Sequence, residues 1–217
     1  MPAKHPTTAS GLPDRFRADY LAIASRVPTG ARVLDVGCGS GELLALLRET
    51  KGVDGRGLEL QSDLAGRALA KGLSVVQGDA AEDLELFPDN AFDVAILSKT
   101  VQQMRQPAHI LAELARIAPE IIVSFQNHGQ WSRRLSFVRQ GRMPGPKPWH
   151  SDDMLHPCTA IDMTDLAAQL NLSVIAMAPV RGSDVGAFRT RGLSRLNWNA
   201  DEVILHMGRH PSGGRAP

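Results

Sequence analysis

Cysteine is nearly absent from this 217-residue chain, with two residues, Cys38 and Cys158, set far apart. A secreted scaffold stapled by disulfides is thereby excluded, and two buried thiols in a reducing compartment are expected. Aromatic residues make up 5% of the chain, and no stretch approaches the roughly 18 to 20 apolar residues that span a bilayer. The opening segment MPAKHPTTASGLPDRF also lacks the apolar core of a secretory signal, so a cytoplasmic location without membrane contact is expected. An excess of one charge is missing as well. Lys and Arg number 24 against 23 Asp and Glu, a net +1, so nucleic acid is an unfavoured partner and any basic site must be local. With 43% apolar and 22% charged residues the composition is that of an ordinary globular protein, and the length suits one α/β domain.

Periodicity divides the chain into a mobile tail at 1–13, one domain at 14–209 and a second tail at 210–217. A helix is expected from Asp14, its N-cap, with Phe16, Tyr20, Ile23 and Val27 on one stripe and Pro28 ending it. Strand-like and helix-like segments then alternate. ARVLDVG, GRGLEL, LSVVQG, FDVAILS and EIIVSFQN read as strands, and ELLALLRE, LAGRALAKG and HILAELARIA as helices. LSVIAMAPV and DEVILHMGR complete seven strands, which the alternation arranges as a mostly parallel sheet with helices on both faces. Regularity lapses at 128–157, read as an insertion with one short helix near Arg133–Arg139. It returns with a capping box, Thr159 to Asp162, leading into DMTDLAAQLN. A basic stretch, 181–199, separates the last two strands.

The most informative words are VLDVGCGSGE, residues 33–42. A strand running into Gly37, Gly39 and Gly41 lets the backbone turn sharply and approach a ligand at the carboxyl end of the sheet. The dinucleotide fingerprint GxGxxG needs a small residue at position 42, where Glu42 stands and would oppose a pyrophosphate, so NAD is disfavoured. Ser40 is expected to cap the next helix rather than serve as a nucleophile. Some 20 residues on, Glu59 ends the second strand where a carboxylate can accept both ribose hydroxyls, and Asp79 follows the third strand within reach of an adenine amino group. Together these point to an adenosine-containing ligand.

The order of Asp35, Gly37, Gly39 and Gly41 at a strand end resembles class I S-adenosylmethionine-dependent methyltransferases over residues 30–127, and implies their Rossmann-like fold. By that resemblance Glu59 holds the ribose, Asp79 the adenine edge, and Asp35 with the glycine turn the methionine end of S-adenosylmethionine or S-adenosylhomocysteine. The segment FPDNAFDVAILSKTVQQM is similar to the family's fourth-strand region, with Ser98 a further cofactor contact and Ser98 and Gln102 the weak catalytic candidates. A narrower resemblance, to the methionine-biosynthesis MetW family, is carried by LLRETKGVDGRGLEL, QGDAAEDLELFPDNAFDVAILSKTVQQ, IVSFQNHGQW, GRMP and the pattern W-x6-H-x-C-T at Trp149–Thr159. It implies a role beside a homoserine O-acyltransferase. The chain departs from that family at Gln126, usually Pro, and in the WHSDDMLHPCT segment.

The chemistry that is missing narrows the choice. No GxSxG elbow exists, so acyl transfer needs another subunit's nucleophile. The fourth strand ends in LSKT, not the Asn/Asp-Pro-Pro-aromatic sequence that grips planar amines. His128, His150, His156 and Cys158 match no metal-ligand spacing, so no metal is expected, and His156 is a third weak candidate as a base. Between His128 and His150 five basic residues and two tryptophans accumulate without an acid, suggesting either a contact for a partner, an anionic substrate or, least favoured, RNA, or a solvated lid with the tryptophans packed beneath it. Two functions stay open: a MetW-like accessory protein and an active small-molecule methyltransferase.

Overall fold

A computed structural model describes residues 16–141 and 155–209. The expected tails lie outside the described residues, as do Trp149, His150 and most of the GRMP segment, while the first helix starts at Ala18 with Arg17 as its N-cap, which corrects the expected start at Asp14. In chain order the elements are α1 (Ala18–Arg26), β1 (Arg32–Val36), α2 (Glu42–Lys51), β2 (Asp54–Glu59), α3 (Ser62–Ala70), β3 (Ser74–Gln77) and α4 (Ala80–Asp83). They continue with β4 (Val94–Ser98), α5 (Pro107–Ile117), β5 (Glu120–Gln126), α6 (Trp131–Gln140), α7 (Ala160–Gln169), β6 (Leu172–Arg181), β7 (Asp184–Val185), α8 (Leu193–Asn199) and β8 (Glu202–Arg209). Short 3-10 turns occupy Leu84–Leu86 and Val101–Gln103.

One sheet carries the strands in the order β3-β2-β1-β4-β5-β8-β6-β7. Strands β3 to β5 pair in parallel, while β8 runs antiparallel between β5 and β6. The seven expected strands are present. An eighth, β7, is a two-residue hairpin after β6, turned by Gly182 at φ +55°. Chain order reverses between β1 and β4, the switch point at which open α/β sheets leave a crevice for ligands.

Alternation along the strands sorts side chains to two layers. Leu34, Leu97, Val123 and Phe125 pack against α5 and α7, whereas Val33, Ile96, Ile122 and Ile204 pack against α1 and α2. The central strands are buried on both faces, so β4 reads as a continuous apolar run. Helix α5 starts on Pro107, whose missing N–H costs nothing at a first helical position, and buries Ile110, Leu111 and Leu114. The Thr159–Asp162 capping box forms as expected.

Candidate functional site

The turn after β1 is shaped by three left-handed residues, Gly37 (φ +70°), Gly39 (φ +57°) and Gly41 (φ +78°). They serve different ends. A Cβ on Gly37 would lie 2.4 Å from Thr100 Cγ2, and one on Gly41 would lie 2.3 Å from Leu73 Cδ1, so both positions are closed by packing. A Cβ on Gly39 would meet nothing within 4 Å, because this residue opens on a cavity of about 870 Å³. Gly41→Ala should therefore destabilise the fold by about 2 to 4 kcal/mol through left-handed strain and overpacking, lowering Tm in a thermal melt. Gly41, not Ser40, occupies the N-cap of α2. Ser40 instead donates its hydroxyl to Glu42 Oε1 at 2.9 Å, which corrects the expected cap.

Glu59 sits at the end of β2, 6% exposed, on the wall of this cavity. Its Oε2 accepts the Gly39 amide at 2.7 Å and its Oε1 accepts the Gln61 amide at 2.9 Å. One carboxylate thus ties the glycine turn to the second strand. Each oxygen can accept more than one hydrogen bond, which leaves capacity for hydroxyl donors from a ligand. Asp79 also lines the cavity, at the N-cap of α4, where Oδ1 accepts the Ala81 amide at 2.9 Å.

Asp35 lies beneath the turn, 1% exposed, and its Oδ1 has no hydrogen-bond partner. Burial, reinforced by the nearby Glu59 charge, pushes its carboxyl up to about 7. Strand alternation places it on the Val33 face, toward α1. There Tyr20, its hydroxyl pushed up to about 12 chiefly by burial, is stacked under the Arg17 guanidinium at 4.4 Å.

Beside the turn stands a charge cluster that the sequence reading missed. Buried Asp19 pairs with Arg17 and with Lys99, whose Nζ also reaches Glu202 at 2.7 Å. Lys99 holds φ +62°, a left-handed conformation uncommon outside glycine. The available signal was an aspartate placed four residues before buried Ile23 in an amphipathic helix; its partners come from distant segments.

The three weak catalytic candidates are placed differently. The Ser98 hydroxyl lies 3.4 Å from that of Ser124 and does not line the cavity. Gln102 is buried as a clasp: its amide donates to the Gln126 carbonyl at 3.0 Å and accepts the Gln126 N–H at 2.9 Å. The Gln102 carbonyl in turn accepts the Leu155 and His156 amides. The His156 side chain is exposed. Gln102→Leu should cost about 1 to 3 kcal/mol by stranding the Gln126 backbone groups, a loss readable in denaturant melts.

Both cysteines are free thiols. Cys38 is buried and held at about 12, whereas Cys158 is half-buried, held at about 11 by burial, with Sγ 3.4 Å from the Gln102 amide. Among the described residues no group of three His, Cys, Asp or Glu side chains is arranged to hold a metal ion.

Known proteins with this architecture agree in fold and differ in chemistry. A SAM-dependent methyltransferase from Thermotoga maritima superimposes with a TM-score of 0.67 at 16% identity, covering 89% of this chain and 88% of that one. The [4+2]-cyclase SpnF superimposes with a TM-score of 0.64 at 18% identity, covering 90% and 81%. The fold is thus that of the SAM-dependent methyltransferases, and SpnF shows that the fold does not by itself fix the reaction. A bifunctional methionine biosynthesis protein MetXA/MetW from Rhodopirellula baltica is 31% identical over 184 residues, covering 78% of this chain. This chain spans only 29% of that relative's length. The model of the family "methionine biosynthesis protein MetW" matches residues 17–207, and the chain belongs to the MetW family.

Proposed function

We propose that the cavity beside Gly39 binds S-adenosylmethionine, or S-adenosylhomocysteine, and that the chain serves methionine biosynthesis beside a homoserine O-acyltransferase. The observation that carries the ligand assignment is the buried Glu59 carboxylate, fixed by two backbone amides at the mouth of the turn. Glu59 accepts the ribose hydroxyls and the second oxygen of Asp79 accepts the adenine amino group. The glycine turn takes the methionine end, and Asp35, which lies beneath the turn without lining the cavity, attracts its ammonium group with a carboxylate whose Oδ1 has no hydrogen-bond partner. The ligand supplies an electrophilic methyl group on a sulfonium; this chain's residues bind and orient it.

The partner assignment is supported by the relative in which MetXA and MetW portions share one chain. It also agrees with the missing nucleophile elbow, because the acyl-accepting serine must then belong to the other protein. A ligand that modulates the pair has to bind the free and complexed forms unequally.

A second reading, active methyl transfer, is favoured by the cavity itself. At about 870 Å³ it lies near the top of the roughly 300 to 1,000 Å³ range of small-molecule sites, leaving room for an acceptor beside the adenosine. Titration calorimetry with S-adenosylmethionine, and with NAD as control, tests the ligand assignment. Heat from the first and none from the second is expected; binding of NAD alone overturns it. Release of S-adenosylhomocysteine on incubation with cell metabolites selects the second reading.

A further inference from the structure

Helix α6 has ten residues, WSRRLSFVRQ, and none is buried. An isolated helix of this length is marginal in water, and proteins stabilise such helices by packing an apolar face. Here that face is bare. Trp131, Leu135 and Val138, at helical spacing, are 47%, 45% and 79% exposed, and Phe137 is 45% exposed. The helix is joined to the domain at its root, where Arg134 donates to the Gly129 carbonyl and lies over the Trp198 ring at 5.3 Å. Trp198, on α8, is itself 51% exposed, so the aromatic surface continues from α6 onto α8.

Charge selects the occupant. Helices α6 and α8, which meet at Arg134 and Trp198, contain no acidic residue and carry three arginines and one, respectively. The two helices thus carry four positive charges and no negative one, in a chain of net +1. A second copy seated by two-fold symmetry would set arginine against arginine, a like-charge contact that disfavours self-association. Exposed tryptophans interleaved with arginines are instead the residue types that dominate protein–protein binding energy.

We infer that the α6–α8 face is the docking surface for the acyltransferase partner, which meets it with an apolar cleft rimmed by acidic side chains. The inference rests on the proposed partnership and adds where and by what chemistry it forms. Gln130, the N-cap residue of α6, also donates to Asp201, and Asn127 bonds the backbone of α8, so the start of α6 is tied to the end of α8. The clasp residue Gln102 holds both Gln126, just before this edge, and Leu155, which lines the ligand cavity. Docking therefore takes place next to the cavity wall.

The test measures association of the full chain with its host's homoserine O-acyltransferase by sedimentation velocity, for wild type, Leu135→Glu, Val138→Glu and Arg139→Glu. Glutamate retains helix propensity, and circular dichroism with S-adenosylmethionine titration monitors fold and cavity. Weakening of the complex by 10-fold or more in each variant, with unchanged cofactor affinity, supports the inference. An Arg139→Glu effect that fades at high salt supports the acidic rim. A complex of wild-type affinity in all three variants overturns the inference while leaving the partnership standing. Failure of the wild-type chain to associate overturns the partnership itself. Loss of a wild-type homodimer in the variants, or of bound RNA, with the acyltransferase complex intact, assigns the face to another occupant and likewise overturns the inference.

Discussion

Asp35→Asn should yield a protein that is more stable than wild type at pH 8 and binds S-adenosylmethionine less tightly. A carboxyl held at about 7 in the folded chain, against 3.8 when unfolded, keeps its proton longer in the native state. Between about pH 4 and pH 7 the folded form therefore binds more protons than the unfolded one, and stability falls as pH rises through that window. Above the window the full penalty stands, at most about 4 kcal/mol. The asparagine removes this charge but adds N–H donors to a site with one unpartnered oxygen, so a gain of about 1 to 3 kcal/mol is expected. Thermal melts from pH 4 to pH 9 check it: the wild-type Tm should decline across the window relative to the variant. Equal pH profiles contradict the account of Asp35. Weaker ligand binding in the more stable protein separates a functional loss from misfolding, as expected where a site stores strain for its ligand.

Glu59→Ala is the second large effect. Removing the carboxylate deletes the expected ribose acceptor and also frees the Gly39 and Gln61 amides, so the turn loses its tie to β2. A loss of about 1.5 to 3 kcal/mol, roughly 10- to 150-fold in Kd, is expected for charge-assisted bonds. Glu59→Gln keeps the shape and one acceptor, and should fall between wild type and alanine. Calorimetric titration measures both, and wild-type affinity in the alanine variant overturns the cavity assignment.

What the sequence disclosed followed from short-range rules. Pattern located β1 to β6 and β8: buried β4 and β5 are apolar almost throughout, β3 is a short run with two valines although it lies exposed at the sheet edge, β6 and β8 are apolar runs of an antiparallel pair, and the helices between the parallel strands are striped. Glycine placement located the turn, because Gly37, Gly39 and Gly41 all require positive φ. Helix α8 was missed: seven residues with Leu196 and Asn197 buried are too few to show a period. The Arg17–Asp19–Lys99–Glu202 cluster was missed for a different reason. Its members come from α1, the end of β4 and the start of β8, and only the antiparallel return of β8 beside β5 assembles them. Gln102 was legible only as a weak catalytic candidate, because a side-chain amide bonded both ways to one residue's backbone is a tertiary event without a local signature. Gly41 shows the same limit in a finer form. Its presence was legible, but its role in packing against Leu73 was not.

One architecture serves a methyltransferase and a cyclase alike, so the reaction is decided by residues outside the shared fold. The most direct measurement is acyl transfer to homoserine by the host acyltransferase alone, by this chain alone and by the pair, each across a range of S-adenosylmethionine concentrations. The account predicts that the chain alone is inactive, that the pair exceeds the acyltransferase alone, and that the ligand changes the rate of the pair. An acyltransferase whose rate is the same with and without this chain, at every ligand concentration, would contradict it.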